Sequence, residues 1–308
     1  MAPSPGAARP ARLPSPTADV VGLGRSRAVA FVAPAFVLIG IFLVFPALWT
    51  LYIGVTNYRL TGVEAKAPDF VGLDNYRTAL SDPAFYHSLW LTLIYVLGSA
   101  VVGQNLLGFG LAWALRRANR SARRLVEGLV LLAWVLPGSV VAFLWVAMLD
   151  RDAGTVNELL GTAPGGTPWL VTHPLASIMV FNIWRGTAFS MMLYAAALSS
   201  VPPSQLETAR LAGAGPVATL RDVVLPHIRR HALTNTLLIT LWTFNDFTPF
   251  LLTGPNQRSA VVPVYIYSTA LVGGKMGYSA AISLIVLLIN LLLALVYLRA
   301  ARAGRSAP

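Results

Sequence analysis

Residues 204–226 read SQLETARLAGAGPVATLRDVVLP. They lie in the longest connection between two apolar runs of a chain that is 56% hydrophobic and 11% charged. Soluble chains carry about 25% charged residues. Pro202 and Pro203 stop the preceding run. Ser204 followed by Glu207 matches the S-x-x-E capping box, in which each side chain accepts from the other residue's backbone N–H. A helix over 205–212 is predicted. Gly213 and Gly215 can supply positive φ, and Pro216 suits the first turn of a second helix. That helix runs through Leu220 and Val223 to Leu225, where Pro226 bends it toward the membrane. Leu206, Ala209, Arg210 and Gly213 are spaced i, i+3, i+4, i+7 and share one side. Two of these four are small, so another backbone or a deep groove can approach. The reading is a helix-turn-helix elbow shaped for a protein partner.

The runs around the elbow decide the class. A helix needs about 20 apolar residues to cross a bilayer core. Six stretches qualify: 28–55, 88–115, 125–149, 175–198, 233–252 and 279–298. Lipid leaves helices as the form that satisfies the backbone of such spans, so the chain reads as an all-α integral membrane protein. The first stretch is too long for a cleaved signal sequence.

Charge orients the spans. The N-terminal tail, the second and fourth connections and the C-terminal tail hold 16 Arg and Lys, among them Arg116, Arg117, Arg210 and Arg299. The other three connections hold six: Arg59, Lys66, Arg77, Arg151, Arg258 and Lys275. The positive-inside rule therefore places both termini and the elbow, 199–231, in the cytoplasm. Residues 1–24, rich in Pro, Ala and Ser, read as a disordered cytoplasmic tail. Residues 25–300 are the membrane domain, and 301–308 a second tail. The outer connection from Asn57 to His87 should include an amphipathic turn or two.

Several chemistries drop out. The absence of cysteine excludes disulfides, thiolate nucleophiles and cysteine metal sites. The net charge of +11 is distributed between spans rather than over one face, which argues against nucleic acid. No G-x-x-x-x-G-K-[ST] occurs, since Gly274-Lys275 is followed by Met276. His227 and His231 have metal-compatible spacing but no third ligand nearby. Polar groups inside the spans mark a candidate translocation path. Arg185 falls near the middle of the fourth span and Asp246 at similar depth in the fifth. They are expected to pair or to share a polar cavity with Asn182 and Asn245. Gln104, Asn105 and Asn290 are expected to bond between helices. Trp134, Trp145, Trp184 and Trp242 lie deep and read chiefly as packing residues.

The elbow resembles the EAA loop of permease subunits of ATP-binding-cassette importers, approximately E-A-A-x-x-D-G-A-x5-F-x-x-I-x-L-P. Its Glu falls on Glu207, its second Ala on Ala209, Gly-Ala on Gly213 and Ala214, and Leu-Pro on Leu225 and Pro226. Thr208, Ala212, Leu220 and Val223 depart from the pattern, and Ala212 removes a carboxylate. FPALWTLYIGVTNY (45–58), FVGLDNYRTALSDPAF (70–85), WVLPGSVVAFLWVAMLD (134–150) and TFNDFTPFLLTGP (243–255) extend the likeness over about 28–300 to carbohydrate-type permeases. The chain is similar to the membrane subunits of maltose and glycerol-phosphate importers.

The resemblance implies a six-helix, multi-pass subunit of a bacterial plasma membrane that carries no nucleotide site or cofactor of its own. ATP and Mg would sit on two cytoplasmic ATPase subunits, and the elbow would dock in a groove on one of them. Glu207 would be its polar anchor, Ala209 and Gly213 close-contact positions, and Leu225-Pro226 the rigid link to the fifth span. A second, homologous permease and an extracytoplasmic solute-binding protein delivering a carbohydrate complete the assembly. An ion-coupled secondary transporter using Asp246 is the alternative, though it leaves the elbow unexplained. So is a non-transporting membrane protein that recruits cytoplasmic factors, which leaves Arg185 and Asp246 unexplained.

Overall fold

The computed structural model describes residues 25–303; the tail expected over 1–24 and residues 304–308 of the one expected over 301–308 lie outside them, while 301–303 continue the last helix instead. Within this range the chain is helical, with one isolated bridge between Thr56 and Phe70 in place of strands. It divides into two units, Met1–Tyr52 and Ile53–Pro308.

The described residues of the first unit form one helix, Arg25–Ile39, carried on through a wide π turn at Gly40–Val44 into Phe45–Gly54. Its apolar stretch, Val29–Gly54, has a mean hydropathy of 2.6 and none of its most apolar window buried. Phe31 and Phe42 are 83% and 73% exposed. Side chains so apolar and so uncovered require lipid or another protein around them.

In the second unit Asp82 starts a 33-residue helix, Pro83–Leu115, by accepting from the Ala84 N–H at 2.8 Å, with Pro83 at the first helical position. The helix Pro174–Ser199 is central, packing against that helix, Arg120–Val135 and Leu225–Phe244. Met276–Ala303 packs on Leu225–Phe244 and on the surface helix Asp74–Ser81, the amphipathic turn expected in the first outer connection.

The stretch expected as a single third span is two helices, Arg120–Val135 and Gly138–Met148, bent by 104°. Leu136 and Pro137 between them are extended, at ψ 141° and 132°. The proline forces this, lacking an N–H and disfavouring helical backbone in the residue before it. The fifth helix also departs from expectation. It stops at Phe244, so Asn245 and Asp246 lie in a turn before the short helix Thr248–Thr253.

Three helices are long and apolar enough to cross a membrane, or four with the bent pair taken as one. Pro174–Ser199 and Leu225–Phe244 have sufficient length, at 26 and 20 residues, but not the hydropathy. Their polar residues face one another instead of lipid. Asn182 Nδ2 donates to Ser99 Oγ at 2.7 Å and Thr243 Oγ1 at 3.2 Å, while Gln104 Nε2 donates to the Asn182 carbonyl at 3.0 Å. Nearer the elbow, Asn105 Oδ1 accepts from Tyr194 at 2.5 Å and Asn235 at 3.0 Å. Two small residues let these backbones meet. A Cβ on Gly108 would fall 2.5 Å from Ser190 Cβ, and one on Gly186 2.3 Å from the Gln104 side chain. Small contacts plus interhelical hydrogen bonds hold helices together where no water is expelled.

Candidate functional site

The elbow starts two residues earlier than the capping motif requires. Its first helix is Pro203–Leu211, with Pro202 as the extended residue before it. Two consecutive prolines set φ for this start, so Ser204 is already helical and the expected capping box does not form. Thr208 Oγ1 bonds the Ser204 carbonyl at 2.9 Å. Glu207 is exposed and makes no ion pair among the described residues.

The turn is a Schellman motif. Gly213, at φ +78°, donates to the Arg210 carbonyl at 3.0 Å, and Ala214 to that of Ala209 at 2.9 Å. A Cβ on Gly213 would meet nothing within 4 Å, so backbone conformation rather than space within this chain demands glycine there. Gly215 departs from expectation. Its φ is −69°, ordinary backbone preceding Pro216 at the first helical position.

Pro226 does not break the second arm either. Pro216–Thr219, the π turn Leu220–Val224 and Leu225–Phe244 run on as one helix. The wide turn, closed by the Leu225 N–H on the Leu220 carbonyl, absorbs the donor that Pro226 lacks. Val224 and Ile228, 0% and 1% exposed, seat this rod in a cluster with Met191, Leu198 and Val201. His227 Nε2 lies 3.1 Å from the Ser200 carbonyl.

The stripe expected on the first arm is split. Leu206 packs against that same cluster, drawn in by its apolar side chain, and with Arg210 faces the end of the Pro83–Leu115 helix. Ala209 lines the opposite side with Gln205, Ala212 and Asp222. The apolar residues left on the outside are Leu211, 90% exposed, and Val217, 77% exposed. Sequence reading missed both because they flank the turn, outside any periodic stripe.

At mid-helix the two opposite charges do not pair. Asp246 accepts from Tyr95 Oη at 3.0 Å through one oxygen, and from Thr248 N and Oγ1 at 2.9 and 2.6 Å through the other. No carboxylate lies within 4.0 Å of Arg185 among the described residues. The early end of the fifth helix explains this, because Asp246 caps the next turn instead of projecting from a helix face. The Arg185 guanidinium lies at the break between Arg120–Val135 and Gly138–Met148, where a Cβ on Gly138 would be 3.0 Å from its Nη2. Its Nε is buried with no hydrogen-bond partner. Asn182 is occupied between helices, and Asn245 exchanges hydrogen bonds with Asn290 at 3.3 Å.

Two aromatic groups stand along the same helix. Trp134, Phe189 and Trp242 form one, with centroids 4.7 to 5.8 Å apart. Trp145 touches Phe181 and Trp184 in the other, at 5.6 and 5.8 Å. Trp184 and Trp242 remain 42% and 48% exposed. Among the described residues no cluster of three or more His, Asp or Glu has metal-binding geometry.

Residues 104–304 match the family of binding-protein-dependent transport system inner membrane components. The chain is 31% identical over 271 residues to the inner membrane ABC transporter permease protein YcjO of Escherichia coli, covering 85% of this chain and 89% of that one. It is 26% identical to the sulfoquinovosyl glycerol transport system permease protein SmoG of Agrobacterium fabrum, covering 90% and 91%. Its fold matches a chain of a bacterial alginate ABC transporter solved with an alginate pentasaccharide-bound periplasmic protein. The TM-score is 0.77 at 20% identity, over 91% of this chain and 95% of that one. The ion-coupled alternative finds no support in these likenesses. The chain belongs to the binding-protein-dependent transport family, the inner-membrane permease subunits of ABC importers.

Proposed function

We propose that this chain is one of two permease subunits in a carbohydrate importer. Six spans, the bent pair counting as one, place both termini and the elbow in the cytoplasm. Two ATPase subunits carry the ATP and Mg that this chain does not bind, the elbow docks in a groove on one of them, and an external binding protein delivers the cargo. The observation that carries the reading is the elbow itself. A rigid Schellman turn presents Glu207, Leu211 and Val217 outward, on a rod continuous with a helix of the membrane domain. Unpartnered apolar knobs beside an unpaired carboxylate fit a protein groove. Ala209 and Gly213 are the close-contact positions, Ala214 closes the turn, and Leu225-Pro226 lies inside the rigid rod. Cargo passes near Arg185, beside Trp184 and Trp242. Asn182, Asn245 and Asp246 shape this path by fixing the helices and the turn around it. The carbohydrate class rests on the relatives' transported sugars and on these part-exposed aromatic faces.

Co-purification tests the reading. Wild-type chain should retain an ATPase subunit, and Glu207→Ala/Leu211→Asp should lose it while inserting normally, since both side chains are exposed. Equal retention by both forms would sink the assignment of the elbow.

A further inference from the structure

The end of the Pro83–Leu115 helix and the inner side of the elbow enclose a cavity of about 400 Å³ that the coupling reading leaves unused. Three guanidinium groups line it, Arg116 and Arg117 from the helix end and Arg210 from the elbow, with Trp113 and Leu206. No carboxylate lies within 4.0 Å of any of the three among the described residues, whereas nearby Arg123 and Arg221 pair with Glu127 and Asp222 at 2.7 and 3.4 Å. Burial first, and then the neighbouring charges of Arg117 and Arg210, push the Arg116 pKa down. The trio thus repel one another. Arg116 is fixed over the Trp113 ring, its Cζ 4.7 Å from the centroid.

We propose that this cleft binds a phosphate group, presented by the headgroup of an anionic lipid or free in solution. Three like charges converging on a cavity without an acid are favourable only with an anion among them, and arginine forks match phosphate oxygens two at a time. Depth favours the lipid. Arg116 and Arg117 are the first charged residues after a long apolar helix, Trp113 lies one turn inside, and such positions sit among headgroups. An acidic segment of a partner protein fits less well, because the exposed knobs Leu211 and Val217 lie outside the cleft. A phosphate here would tie the elbow to the helix end. The inference rests on the membrane placement proposed above and is independent of coupling to an ATPase.

The test uses the full chain, with the subunits that co-purify, in nanodiscs of phosphatidylcholine containing increasing phosphatidylglycerol. Retained phosphatidylglycerol is read by native mass spectrometry, and the ATPase is quantified in the same samples. Arg116→Gln/Arg210→Gln should weaken retention by about 30-fold, taking roughly fivefold per arginine. Arg116→Lys/Arg210→Lys, which keeps the charge and loses the forks, should retain more than the Gln variant and less than wild type, and Arg77→Gln, on the first outer connection, should match wild type. Inorganic phosphate added to pure phosphatidylcholine discs separates the sources. If it raises the wild type's thermal midpoint and leaves the Gln variant unmoved, the site takes the free anion. If only phosphatidylglycerol does so, it takes the headgroup. Equal retention by wild type and the Gln variant overturns the proposal. So does loss of the ATPase from the Gln variant with no response to either phosphate, which would assign the cleft to an acidic protein segment. Retained lipid with no ATPase in any form would leave the inference standing and remove the coupling reading instead.

Discussion

Replacing Gly213 with alanine isolates what the elbow's turn requires. The residue sits at φ +78° with open space where a Cβ would go, so the perturbation is conformational and nothing in the chain is displaced. Holding a non-glycine residue there costs about 1–2 kcal/mol. If the turn relaxes to avoid this, it loses two hydrogen bonds, Gly213 N to Arg210 O and Ala214 N to Ala209 O, at about 1 kcal/mol each. Either route weakens the closed turn by about 1–2 kcal/mol, which corresponds to roughly 5–30-fold faster opening. Hydrogen exchange of the peptide spanning 205–220 should show that acceleration at the Ala214 amide. Gly213→Asn should recover much of the protection, since asparagine tolerates this backbone. Gly215→Ser, at φ −69° and in an N-cap position that serine favours, should leave the Ala214 amide unchanged. Unchanged exchange in Gly213→Ala, or equal acceleration in Gly215→Ser, would refute the reasoning.

Gly108→Ala should lower the thermal midpoint, at a cost of about 1–3 kcal/mol. Its Cβ would meet the Met191 backbone N at 2.9 Å, which cannot swing aside, whereas Gly110→Ala has open space and should be neutral. Asp82 accepts from Tyr265 and Tyr278 at 2.6 Å each. Burial raises its pKa, but these hydroxyls and the backbone N–H donors outweigh it and hold the carboxyl below its usual range. Its stabilisation is therefore complete above the ordinary carboxylate pKa of about 4 and declines as pH falls from there through its depressed value. Acid melts should show less of this decline in Asp82→Asn. Arg185→Gln and Asp246→Asn should be additive in stability to within about 0.5 kcal/mol. A coupling above about 1 kcal/mol in the double-mutant cycle would mean the two charges meet after all.

The sequence made the elbow legible because its signals are local. Proline at a helix start and glycine at a positive φ act on their own residues, and Gly213 and Pro216 are placed as expected. The capping box failed because Pro202 and Pro203, read only as a stop, also start the next helix. Apolar length located the helices Pro83–Leu115, Pro174–Ser199 and Met276–Ala303, and the interhelical roles of Gln104 and Asn105 followed from polar groups in apolar surroundings. The bend at Pro137 was legible in principle, since a proline in mid-span announces it. That Arg185 and Asp246 would stay apart was not, because equal depth says nothing about where a helix ends or which face it turns. Tyr95 as the partner of Asp246 is separated from it by 151 residues and leaves no local trace.

The unbroken helix from Pro216 to Phe244 makes the second arm of the elbow a lever. Its fulcrum is the buried pair Val224 and Ile228. At 1.5 Å per residue, about 18 Å of rod lies on the elbow side of Ile228 and about 24 Å on the other. A push of ~3 Å on the elbow would then swing Phe244, and the turn carrying Asn245 and Asp246, by ~4 Å in the opposite direction. Trp242 rides on the far arm, so such a stroke would shear its tilted contact with Trp134 and its edge-on contact with Phe189.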